Sequence, residues 1–151
     1  MPTAIDADTA QRLRIVFSRL ARLLRATDAA GPAAELTPTR VVVLLNAVRN
    51  GPIRLAELAE QEGLNPTMLS RTVANLVEAG LVVRTADAGD RRSAWVEPTD
   101  AGRGLAEEIR RHRTKALREA LSGLHQDDQL TVERALPALE HLVEQLFTEH
   151  S

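Results

Sequence analysis

Between two short runs of β-type residues, the stretch Asp87-Ala-Gly-Asp-Arg-Arg-Ser-Ala-Trp95 sets Arg91 and Arg92 directly behind Asp90 in a glycine-containing turn. A surface loop has no packing use for adjacent guanidinium groups. Each is permanently charged, planar and more weakly hydrated than an ammonium, which suits it to phosphate pairing or to entry into a narrow, electronegative groove. Asp90 is expected to brace Arg92, because a carboxylate placed beside phosphates repels them. A second polar set lies upstream, where Asn65, Pro66, Thr67, Met68, Ser70, Arg71 and Asn75 recur with no acid among them. A small, polar helical face of this kind lets a partner surface approach closely. Arg71 can fork onto a guanine edge there, and Met68 suits packing and a thymine methyl equally. Trp95 is expected to pack under the hairpin.

Other chemistries find little support. The chain has no cysteine, which excludes disulfides, thiol nucleophiles and zinc–thiolate sites. His112, His125, His141 and His150 are scattered without paired ligand spacing, so no metal site is expected. No phosphate-cradling glycine loop, His-Glu-x-x-His pair or nucleophile elbow occurs, so neither a catalytic residue nor a cofactor is assigned and an enzyme is not expected. No apolar run reaches the roughly 18 residues that span a bilayer, and the first residues carry acids where a leader needs bases, so a cytoplasmic protein without a membrane partner is expected. The net charge of −2 argues at first against a polyanionic partner. Its distribution does not: Arg12, Arg14, Arg19, Arg22 and Arg25 fall near one end, while Glu133, Glu140, Glu144 and Glu149 gather at the other.

These residues need elements to position them. Leu13, Val16, Phe17, Leu20, Leu23 and Leu24 recur at helical spacing, predicting an amphipathic first helix that ends near Ala29 to Pro32. A second helix should start at an N-cap Thr37 with Pro38 in its first position and stop before Gly51, with a strand over Val41 to Val43 as the weaker alternative. Leu55, Leu58 and Ala59 then mark a short helix, Gly63 interrupts it, and Asn65 with Pro66 opens another whose buried face is Leu69, Val73, Leu76 and Val77. Gly80 stops that helix. Strands are predicted at 81–85 and 93–97, joined by the arginine turn. Two long stripes close the chain: Leu105, Ile109, His112, Ala116, Ala120 and Leu124, then Val132, Leu136, Leu139, Val143 and Leu146. Pro137 should bend or break the last helix. Both stripes hold more apolar surface than one small lobe covers, which suggests an interface.

Helix, tight turn, helix and hairpin, in that order, make a winged helix-turn-helix. The second helix of such a unit can lie in a major groove while the hairpin tip reaches flanking backbone or minor groove. The chain resembles the MarR (multiple antibiotic resistance regulator) family, whose wing carries Asp-x-Arg, a short strand, then Thr and Gly. Asp90, Arg92, Thr99 and Gly102 occupy those positions, with Pro98 where a leucine is usual. The resemblance implies a mainly α fold in which a winged lobe, 36–99, is flanked by dimerisation helices in 1–35 and 100–151. It implies a homodimer that binds double-stranded DNA at a pseudo-palindromic operator, most simply a repressor released by a small aromatic or anionic effector near Phe17, Leu20 and His112. A helical adaptor that binds protein through the same fold is the alternative, kept open by seven arginines against six acids between Arg40 and Trp95.

Overall fold

The first helix, α1 (Ala7–Ala26), opens at Asp6, whose carboxylate accepts a hydrogen bond from the Thr9 amide at 2.7 Å. That bond favours the ionised form and holds the Asp6 carboxyl below the usual carboxylate range. A 3-10 turn, Thr27–Ala30, follows and buries Asp28. In this computed structural model, residues 4–90 and 93–149 are described, and the chain divides into two units, Met1–Thr114 and Lys115–Ser151.

Helix α2 (Pro38–Asn50) is capped by Thr37, whose hydroxyl accepts from the Arg40 amide at 3.3 Å. Proline in the first position costs nothing there, since that amide has no partner inside the helix. The cap and the helical spacing of buried Val43, Leu44 and Ala47 override the β-propensity of Val41 to Val43, so the strand alternative fails. Asn46 is buried on the same helix. Its amide nitrogen reaches Gln61 and Glu62 of α3 (Leu55–Glu62) at 3.0 and 2.5 Å, so its polarity is satisfied across the α2–α3 contact.

A two-residue strand not foreseen from the sequence, β1 (Ile53–Arg54), precedes α3. It pairs antiparallel with β3 (Ala94–Pro98), placing Ile53 opposite Val96 and Arg54 opposite Trp95. The predicted hairpin forms between β2 (Val82–Ala86) and β3, each strand starting one residue later than expected, in the order β1-β3-β2. Pairing runs through Pro98, which lies opposite Val82 at the end of the ladder, where the missing amide is least costly. The core beneath the sheet is Leu44, Ile53, Leu58, Leu69, Val73, Leu76, Val82 and Val96.

Thr99 joins the sheet to α5 (Asp100–Ser122). Its amide donates to the Leu81 carbonyl at 3.1 Å, and its hydroxyl donates to the Gly80 carbonyl at 2.6 Å while accepting from the Gly102 amide at 3.0 Å. Gly102 is needed because α5 starts against that same loop. A Cβ there would lie 2.0 Å from the Leu81 carbonyl oxygen. On α5, Arg113 grips Asp28 with Nε to Oδ1 at 2.9 Å and Nη2 to Oδ2 at 2.6 Å, and His112 Nε2 lies 3.1 Å from the Thr27 carbonyl oxygen.

In the second unit, α6 (Gln126–Glu149) runs unbroken through Pro137, so the proline does not mark the expected break. Leu124 lies between α5 and α6 and not on the α5 stripe. No residue of α1 or of α6 is buried. Among the described residues no helix is long and apolar enough to cross a membrane.

Candidate nucleic-acid interface

Helix α3 ends at Gly63, which adopts φ 62°, a left-handed conformation that side chains with a Cβ resist. Three residues later α4 (Pro66–Glu78) begins, with the Asn65 side chain accepting from the Met68 amide at 2.8 Å. Asn65 and Pro66 therefore set where the helix starts. The buried stripe is Leu69, Thr72, Val73 and Leu76. Val77, expected inside, is 40% exposed. Thr72 takes the inner position because its hydroxyl bonds the Met68 carbonyl at 2.9 Å, and the stripe then leaves Val77 at its edge.

The exposed face beside this stripe forms one wall of a groove of about 610 Å³. Asn65, Thr67, Met68, Arg71, Thr72 and Asn75 line it from α4, and Thr37, Thr39 and Arg40 from the start of α2. No carboxylate lines the groove, and neither Arg40 nor Arg71 forms an ion pair among the described residues. Two unneutralised guanidinium groups and the amino end of α2 thus share one concave surface, an arrangement that attracts phosphates. Ser70 lies outside this lining. Its hydroxyl accepts from Arg84 Nη1 of β2 at 3.4 Å, which puts a further cation on the other flank of α4.

Sequence reasoning missed Arg40 and Arg84. Arg40 stands three residues after a capping threonine, and that offset is its only local signal. Arg84 falls on the inward side of β2, opposite Val96, and only the strand's position beside α4 turns it toward Ser70.

The wing closes through Asp87 N to Ser93 O and Ser93 N to Asp90 O, both 3.0 Å, and through Gly89 N to Asp87 Oδ1 at 3.0 Å. Arg91 and Arg92 lie outside the described residues, and the expected bracing of Arg92 by Asp90 lies there with them. Trp95 does more than pack. It points to the outer side of the sheet, where the Arg54 guanidinium lies 4.9 Å from its ring centroid.

The three residues expected around an effector are separated. Phe17 and Leu20 are exposed on α1, whereas His112 bonds Thr27 beyond that helix's end. Ten residues of helix between Phe17 and Thr27 correspond to roughly 15 Å. Two cavities of about 350 Å³ each lie further along α1. One is lined by Leu24, Arg25, Val42, Asn46, Arg49 and Arg113 among others, the second by Arg22, Arg25, Leu36 and Val41 among others. No group of three or more metal-binding side chains occurs among the described residues.

Comparison with known proteins agrees with this architecture. The MarR family model matches residues 36–94. An HTH-type transcriptional regulator of Mycobacterium tuberculosis is 26% identical over 140 residues, which cover 93% of this chain and 96% of that protein. Among solved structures, a transcriptional regulator of Thermotoga maritima aligns with a TM-score of 0.74 at 21% identity, covering 91% of this chain and 98% of the other. A MarR family protein from Bacillus stearothermophilus aligns with a TM-score of 0.70, also at 21% identity, over 93% and 99%.

Proposed function

Because this chain belongs to the MarR family of transcriptional regulators, we propose that it acts as a homodimeric repressor, reading a pseudo-palindromic operator with α4 and the wing and leaving it when a small effector binds. The observation that carries this is the carboxylate-free groove along α4, with Arg71 and Arg40 unpaired on its walls. The lobe as a whole is close to neutral, with seven arginines against six acids between Arg40 and Trp95, so the attraction for a duplex comes from the local arrangement of the groove. Thr67, Met68, Arg71 and Asn75 supply base-edge contacts, while Arg40, Arg84 and the wing arginines Arg91 and Arg92 engage the backbone or the minor groove. Residues 36–99 form the reading lobe, and 1–35 with 100–151 supply the dimer contacts.

The effector is a small anion with an apolar body, and the cavities beside α1 support this with arginines set among leucines and valines. Asn46 and Glu62, which bond each other across the α2–α3 contact, both line the first of these cavities. A ligand there competes for that bond and biases the lobe. Release requires the ligand to prefer the unbound protein, so calorimetry on free and DNA-bound forms should give unequal affinities.

The test of the DNA reading titrates wild type, Arg71→Ala and Arg92→Ala against matched and mismatched duplexes at several salt concentrations. Arg71→Ala should cost about 1–3 kcal/mol at particular base pairs and relax specificity there. Arg92→Ala should weaken binding to every sequence and lower the salt slope by roughly one charge. Half-sites spaced about 10 base pairs apart should bind tightly, and moving one by half a turn should abolish this. If neither substitution changes duplex binding, the lobe does not read DNA in this way and the protein-adaptor alternative replaces it.

A further inference from the structure

Arg54 occupies an unusual junction. It ends β1 and is also the residue that caps α3, yet its side chain makes no capping bond to that helix. The guanidinium goes to the wing instead. Nη2 lies 3.3 Å from Asp87 Oδ2 at the wing's base, and the planar group sits 4.9 Å from the centroid of the half-buried Trp95 ring. Asp87 is held from its other side as well, since its Oδ1 accepts the Gly89 amide and its own amide bonds Ser93. Only 17% of the Asp87 side chain is exposed, which makes it a firmer anchor than a surface acid.

We propose that Arg54 is a positioning residue that ties the base of the wing to the first helix of the helix-turn-helix, and so fixes the direction in which the wing projects from the lobe. β1 is only two residues long and meets β3 through two residue pairs, too little to orient a hairpin by backbone pairing alone. The side chain of Arg54 adds two cross-links on the outer side of the sheet, one ionic to β2's outgoing end and one over an aromatic face on β3. Wing and α3 then move as one body. Because the guanidinium is already committed to Asp87 and Trp95, Arg54 contributes by geometry and not by neutralising a phosphate. This inference rests on the DNA-binding role given to the wing, and its test separates the two.

Trp95 is the chain's sole tryptophan, so its fluorescence reports this junction without interference. The measurements are acrylamide quenching of Trp95 in the free protein, and the affinity and salt slope for a duplex enriched from a random pool by the wild type. Arg54→Ala should make Trp95 more readily quenched and should weaken the duplex complex on the order of tenfold, the scale of one cation–π contact with a partly exposed ion pair. The salt slope should stay as in the wild type.

Asp87→Asn gives a test of sign. Removing a carboxylate near DNA strengthens binding if only charge matters, whereas loss of the anchor weakens it. The double variant should be no weaker than the worse single one, because both changes remove the same strut. Arg54→Lys keeps the charge but not the planar stack, so it should restore part of the affinity while Trp95 remains more open to quencher. Unchanged quenching in Arg54→Ala, a salt slope lowered by one charge, or tighter binding by Asp87→Asn would each overturn the proposal. A wild type that binds no duplex in a salt-sensitive way would overturn the DNA reading and the functional part of this inference with it, and the quenching comparison would still decide the strut.

Discussion

Asp28 and Arg113 make a two-point fork between the turn after α1 and the middle of α5, with side chains 12% and 23% exposed. Such a pair lies between a surface ion pair, worth less than 1 kcal/mol, and a fully buried one, where removing a single partner costs about 3–5 kcal/mol. Asp28→Ala leaves the guanidinium without its acceptor in a half-dry site. We expect a loss of about 2 kcal/mol, read in urea as a lower midpoint with an unchanged slope. No change in midpoint would show that water already satisfies both groups. Nothing in the local sequence marks this pair, because 85 residues separate its members. By contrast, the roles of Thr37 and Asn65 follow from three-residue offsets, and the structure places both as caps.

Helix α4 needs its cap for stability, the proposed DNA reading uses its open polar face, and Asn65 lies where the two meet. Asn65→Ala should cost about 1 kcal/mol of stability through the unpaired Met68 amide. Asn65→Asp should keep the cap and the melting temperature, since a carboxylate caps as well as an amide and suits the helix's amino end. It also sets a negative charge on the groove wall, so duplex binding should weaken while the fold does not. Thermal melts with duplex titration of both variants separate the roles, and equal duplex affinity for wild type and Asn65→Asp would remove Asn65 from the interface. The miss at Val77 belongs to this scale too. Periodicity draws a stripe along a helix but does not say where the neighbouring layer stops covering it, and at the end of α4 the chain turns away at Gly80.

At the scale of the molecule, most of the exposed large apolar side chains among the described residues lie on the two end helices. On α1, Val16 is 57% and Leu23 58% exposed, and on α6, Leu136 is 48% and Val143 52% exposed. Faces of this kind call for a partner, and a second copy of the same chain satisfies the demand by symmetry. We expect sedimentation to show a dimer at micromolar concentration. Leu136→Glu, which places a charge on the α6 face, should shift the equilibrium toward monomer, and truncation after Asp127 should give a poorly folded or aggregating chain. A stable monomer of the wild type at high micromolar concentration would remove the dimer, and with it the two-fold operator.

The sequence by itself determined what depends on neighbours along the chain. Proline after a capping side chain, glycine after the last helical residue and apolar spacing of three and four located α2, α3 and α4, and alternation with a turn located the hairpin, because these signals act within one or two turns of backbone. It also determined the polar face of α4 that carries Thr67, Arg71 and Asn75, since a helix converts spacing directly into a face. Only the tertiary structure decided what depends on residues far apart in sequence. β1 is too short to carry a period and exists because Ile53 and Arg54 meet Val96 and Trp95. Arg84 joins the flank of α4 through Ser70, Arg40 shares a groove with Arg71, and Arg54 reaches past its own helix to the wing. Each of these meetings requires the core to bring two elements within a few ångströms, and no local pattern in the chain encodes that distance.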